Sequence, residues 1–143
     1  MGDGPERAAL ERRAGPSVTF EGYVPRARLL DLFGRCSAYL VSGEEDFGIA
    51  PVEAMAAGKP VVAINRGGTA ETVRDGVSGV LFAEQTVDSQ LGALERLAAL
   101  ELDPHAIRAQ AQRFDRATFA GAFADLLGRL GVDGALGGSA RSG

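Results

Sequence analysis

The chain has 143 residues, 45% of them apolar and 24% charged, with a formal net charge of −4. That is one domain's worth of chain with enough apolar residues for a real core. The acidic balance argues against nucleic acid as the main partner, because phosphate binding needs a basic face.

The single cysteine, Cys36, rules out an internal disulfide and points to a reducing compartment. No signal-type segment opens the chain, and no apolar run approaches the roughly 20 residues of a membrane span. A cytoplasmic protein is the expectation.

Taken in chain order, Pro5 to Ala14 predicts a helix, with proline at a first-turn position. SVTFEG (17–22) reads as a strand. Pro25 to Cys36 predicts a second helix whose Leu29, Leu30, Leu32 and Phe33 form one apolar face. SAYLVS (37–42) is the next strand, and Cys36 beside it reads as a buried structural thiol. Ile49 to Ala57 predicts a third helix, closed by Gly58 with Pro60 just beyond. PVVAI (60–64) and SGVLF (78–82) are further strands. All four strand runs are apolar and mostly continuous, the pattern of strands buried on both faces. Thr86 to Leu100, Pro104 to Gln112 and Asp115 to Leu130 read as helices with no strand between them, and Asp115 can cap the last. Residues 131–143 are Gly/Ser-rich and read as a flexible tail after a domain at 1–130. Alternating strands and helices in short units predict an α/β fold: a Rossmann-like parallel sheet, helices on both faces, and a helical C-terminus.

The stretch EEDFGIAPVEAMAAGKPVVAI (44–64) carries the chemistry. Glu45 and Glu53 lie eight positions apart. In one continuous helix they would point roughly 80° apart and two turns away from each other. Placing Glu45 to Gly48 in a loop, with the helix starting near Ile49, resolves this. The first-turn amides of Gly48, Ile49 and Ala50 then form an anion site backed by the helix dipole. Pro51 suits that first turn, and Gly48 admits a ligand close to the backbone. A diphosphate on the amides would have a carboxylate at each end. Carboxylates accept two O–H donors and suit diols. A nucleotide sugar has that shape. The plainer reading is that Glu44, Glu45 and Asp46 are a solvated loop and Glu53 an early helix residue favoured by the dipole.

The run EDFGIAPVEAMAAGKPVVA resembles the signature of family-4 retaining glycosyltransferases of the GT-B fold: a Glu, seven residues, a second Glu. GDGPERAALE (2–11), VTFEGYVPRARLLDLFGRCSAYLVSG and GGTAETVRDGVSGVLF (67–82) resemble, in order, further stretches of that family's nucleotide-binding domain. FAEQT and RAQAQRFDRATF look like bacterial polysaccharide mannosyltransferases. The resemblance implies that Glu45 contacts the transferred sugar. The backbone of Phe47, Gly48, Ile49 and Ala50 would hold sugar and phosphates, and Glu53 the ribose. Gly22, Tyr23 and Val24 would hold the base, and Gly2 and Gly4 would belong to a loop near the donor pocket. Gly67 and Gly68 would shape a turn beside the site. Glu71 reads as a first-turn helix residue, and His105 is given no chemistry.

The implied donor is GDP-mannose, with no metal and no other cofactor. The implied reaction is retaining hexosyl transfer to a polysaccharide, lipid or small-molecule acceptor. The family's N-terminal acceptor domain is missing from these residues. So are two central strands, one helix, and the Arg and Lys that neutralise the diphosphate. On that reading the chain alone is catalytically incomplete. In the full-length enzyme it would sit in the cytoplasm or against the inner face of the membrane. Without its neighbours, VTF has no fixed place, and an exposed sheet edge invites self-association. The alternatives are a stand-alone nucleotide-binding module or a non-functional truncated fragment.

Overall fold

The structure, a computed structural model, describes residues 3–131. Gly2 and the tail beyond Gly131 lie outside the described residues. Contacts divide the chain into two compact units, Met1–Ser37 and Ala38–Gly143.

The first unit holds helices α1 (Arg7–Arg13) and α2 (Arg26–Arg35). α2 starts at Pro25, whose extended backbone directs the chain into the helix. Phe33 is buried, but Leu30 is exposed, so the predicted apolar face is narrower than its sequence. Arg7 bridges Asp3 and Glu11, one turn to either side, at 2.7 and 2.8 Å. Arg28 donates two bonds to Glu21 and a third to Asp31. Such exposed pairs orient side chains more than they stabilise. Cys36 is half-buried, not buried as expected, and its Sγ lies 3.4 Å from the Phe33 carbonyl oxygen.

Residues 17–22 do not form a strand; this corrects the expectation for SVTFEG. A strand exists through its ladder, and none of the described strands pairs with this segment. Gly22 also turns into the left-handed region at φ +62, which ends any extended run.

The second unit is built on three parallel strands, β1 (Tyr39–Val41), β2 (Val61–Ile64) and β3 (Gly79–Phe82), in the order β1-β2-β3. The short strand–helix–strand connections require this sequential, parallel arrangement. Register pairs Tyr39 with Val61 and Val61 with Gly79. Every residue of β2 is buried, so both faces are covered. On one face Val62, Ile64, Val80 and Phe82 pack with Ala93 and Leu97 of α5 (Val87–Ala98). On the other lie Val61 and Ala63, with α3 (Ile49–Ala56) packed on β1 and β2. α6 (Pro104–Gln112) packs along α3, and α7 (Arg116–Arg129) follows. Asp115 caps α7 as read, accepting the Thr118 N–H at 2.7 Å. α3 closes in a left-handed Gly58 at φ +77. There Gly58 N–H reaches Met55 O and Lys59 N–H reaches Ala54 O, satisfying two end carbonyls.

The loop before β3 is fixed by Asp75, whose Oδ1 accepts the Leu81 N–H at 2.8 Å and whose Oδ2 meets Arg96 of α5 at 2.5 Å. Burial pushes this carboxyl up; the bonds from Leu81 and Arg96 outweigh it and hold the group below the ordinary carboxylate range. A carboxyl depressed on folding binds protons more readily in the unfolded chain. Its contribution is therefore complete above the unfolded value of about 4 and is lost as pH falls through the folded one. With Asp75 and Arg96 both nearly half exposed, that contribution is well under 1 kcal/mol. Asp75→Asn should lower the melting temperature slightly at pH 7, and the gap to wild type should narrow as pH falls below the ordinary carboxylate range. Equal melting curves at pH 7 would remove the pair from the account of stability.

Candidate donor site

In parallel sheets the loops at the carboxyl ends of the strands gather on one edge. Here the loop after β1 (42–48) and the β2–α4 connection meet at that edge. α4 (Gly67–Thr72) begins three residues after β2 ends. Glu45 lies exposed in the first loop, and Glu53 lies half-buried in the second turn of α3. Gly48 is the N-cap at φ +79 and ψ +63, a left-handed conformation that favours glycine. No side chain caps this helix start, so its first-turn amides keep their capacity for an external acceptor. Pro51 is buried in the first turn.

The loop is held from behind. Gly68 N–H donates to Glu45 O at 2.7 Å. A Cβ on Gly68 would fall 2.4 Å from Phe47 Cα, and one on Gly67 would fall 2.5 Å from Glu45 O. Both glycines open α4 instead of shaping a separate turn, and Glu71 consequently sits in the second turn of α4, not the first. Thr69 fixes the start of α4: its Oγ1 lies 2.7 Å from Ile64 O and 2.9 Å from Arg66 O. Thr72 Oγ1 donates to Gly68 O, and Gln110 of α6 donates to Thr72 O at 2.9 Å.

Phe47 is half exposed and meets Phe114 edge-on, with ring centroids 6.0 Å apart. Ile49 is exposed and Ala50 half-buried. A cavity of about 300 Å³ opens beside Glu53, walled by Val52 and Ala56 of α3 and by Arg108, Ala111 and Phe114. Among the described residues, no three His, Cys, Asp or Glu side chains cluster as metal ligands would.

Tyr39 was missed by the sequence reading. Burial raises its phenol, and the charges of Glu45 and then Glu53 raise it further. The charges of both carboxylates thus act on one group. Nothing in an aromatic residue within a buried strand run signals that field.

Gly4, Gly22, Tyr23 and Val24 belong to the first unit. Gly22 is buried with the Arg7 guanidinium against it, at 2.7 Å from where a Cβ would stand. Tyr23 is 89% exposed, Val24 is half-buried, and Gly4 has open space around it. Gly2 falls outside the described residues. His105 is exposed at the start of α6, donating its N–H to Asp103.

A family described as glycosyl transferases group 1 matches residues 1–114. The chain is 37% identical over 118 residues to a D-inositol 3-phosphate glycosyltransferase of Mycolicibacterium paratuberculosis, covering 82% of this chain and 27% of the relative. It is 50% identical over 50 residues to the alpha-1,3/1,6-mannosyltransferase ALG2 of Dictyostelium discoideum, covering 35% of this chain and 12% of that protein. Its structure is similar to that of Anabaena HepE in complex with UDP-glucose, with a TM-score of 0.64 and 29% identity, covering 85% of this chain and 36% of HepE. The chain therefore spans about a quarter of the length of the curated relatives it matches.

Proposed function

From a chain that belongs to the glycosyl transferases group 1 family, we propose the donor-binding part of a retaining hexosyltransferase that uses a nucleotide sugar. The observation that supports this best is the uncapped start of α3 at Gly48, with Glu45 in the loop before it and Glu53 one turn beyond. An amide-lined helix start accepts a diphosphate, and the carboxylates on either side accept hydroxyls of the sugar and the ribose. In this reading the Phe47–Ala50 backbone lines the path between them.

Mannose is the proposed sugar and GDP-mannose the proposed donor, a reading favoured by the stretch shared with ALG2. UDP-glucose is the second reading, favoured by the HepE complex. Transfer proceeds with retention and without a metal: the departing phosphate takes the acceptor's proton on the same face of the sugar. Among the described residues no helix is long and apolar enough to cross a membrane. Self-association through β1, which pairs with β2 alone among the described strands and exposes Leu40, accompanies this reading.

Calorimetry of the chain with GDP-mannose, GDP, UDP-glucose and UDP tests the proposal. Saturable binding of one nucleotide pair, with the other at least tenfold weaker, is expected and identifies the base. No binding of any of the four would overturn the donor-site reading.

A further inference from the structure

We propose that Gly67, Gly68 and Thr69 are positioning residues that set where the Glu45–Gly48 loop presents its groups to the transferred sugar; this rests on the donor-site reading above. Three separate contacts join the start of α4 to the loop. The Gly68 N–H holds the Glu45 carbonyl at 2.7 Å. The bare Cα atoms of Gly67 and Gly68 admit the Glu45 and Phe47 backbone to distances that any side chain would forbid, 2.5 and 2.4 Å from a Cβ. The Thr69 Cγ2 lies 3.6 Å from where a Cβ on Gly48 would stand. The closest approaches at Gly67 and Gly68, and the Gly68 hydrogen bond, fall on the loop's backbone, so the loop cannot relieve them by turning a side chain. Thr69 itself is wholly buried and tied to the end of β2 through the Ile64 carbonyl. The position of the loop is therefore referred to the central strand, through one hydroxyl and one amide.

The arrangement separates two parts of the donor. Glu53 rides on the second turn of α3, which packs on β1, β2, α4 and α6, and the atoms nearest the glycine pair belong to Glu44, Glu45 and Phe47, not to α3. Adding a methyl group at Gly68 must displace Phe47, and the loop with it. The glycine pair thus bears first on the loop at the sugar end of the donor, whereas Glu53, at the ribose end, lies a turn further along α3.

The test is calorimetry of the 143-residue chain, as wild type, Gly68→Ala, Thr69→Val and Thr69→Ser. The probes are GDP with GDP-mannose and UDP with UDP-glucose, and melting temperature is followed alongside. For the pair that wild type binds, Gly68→Ala should leave the nucleoside diphosphate within about twofold and weaken the nucleotide sugar by about tenfold or more, the loss of one hydrogen bond to a charged group. Thr69→Val should shift the same ratio in the same direction, and Thr69→Ser, which keeps the hydroxyl, should restore it. A purely structural role would lower the melting temperature and leave the ratio unmoved. If both variants weaken the two ligands equally, or neither, the positioning role is overturned and the donor site stands. If wild type binds none of the four probes, the donor-site reading falls and this inference falls with it.

Discussion

Glu53→Ala should weaken nucleoside diphosphate and nucleotide sugar alike, by tens- to a hundred-fold. Ribose is common to both ligands, and a half-buried carboxylate accepting two hydroxyls contributes about 2–3 kcal/mol. Glu45→Ala should behave differently. Its carboxylate stands in the exposed loop ahead of the helix, so the free nucleoside diphosphate should bind within about twofold of wild type while the nucleotide sugar weakens. Neither variant should unfold the chain, since neither side chain is in the core and alanine is the best helix former. Calorimetry on both variants separates the two roles. Wild-type affinity for both ligands in both variants would reduce the pair to a solvated loop and an ordinary helix residue.

Gly79→Ala should be the most damaging small substitution in the sheet. Gly79 opens β3 opposite Val61, and a Cβ there would fall 1.9 Å from the Val61 carbonyl oxygen and 2.8 Å from its carbon. Val61 is wholly buried in the central strand, so neither backbone can retreat without opening the β2–β3 ladder. Overpacking of this kind costs about 3 kcal/mol. Gly92→Ala in α5 and Gly121→Ala in α7 meet nothing within 4 Å and should each stabilise by about 0.5–1 kcal/mol through helix propensity. Urea unfolding of the three variants checks the contrast. A Gly79→Ala midpoint equal to wild type would show that β3 is not held against Val61 as the structure has it.

Some of this was legible in the chain itself. Helix starts and stops are local chemistry: Asp115 accepts the Thr118 N–H three residues on, and Gly58 takes the left-handed turn that ends α3. The order of the three strands follows from short connections, which leave one right-handed path. Glu45 in a loop and Glu53 on a helix followed from Gly48 between them, because glycine alone takes a left-handed cap at little cost.

What the chain could not disclose depends on partners distant in sequence. SVTFEG has strand composition, yet a strand is defined by its neighbour, and no described strand pairs with it. Cys36 and Leu30 lie in apolar runs but keep part of their surface, since burial is decided by what packs from elsewhere in the chain. Tyr39 meets the field of Glu45 and Glu53 only through the fold, since neither residue is near it in local sequence pattern. Gly67 and Gly68 read as a turn, but their use is a backbone approach to Glu45 and Phe47, some twenty residues away. Local propensity acts within a few residues, whereas close approach of two backbones is fixed by the sheet that brings the two loops to one edge.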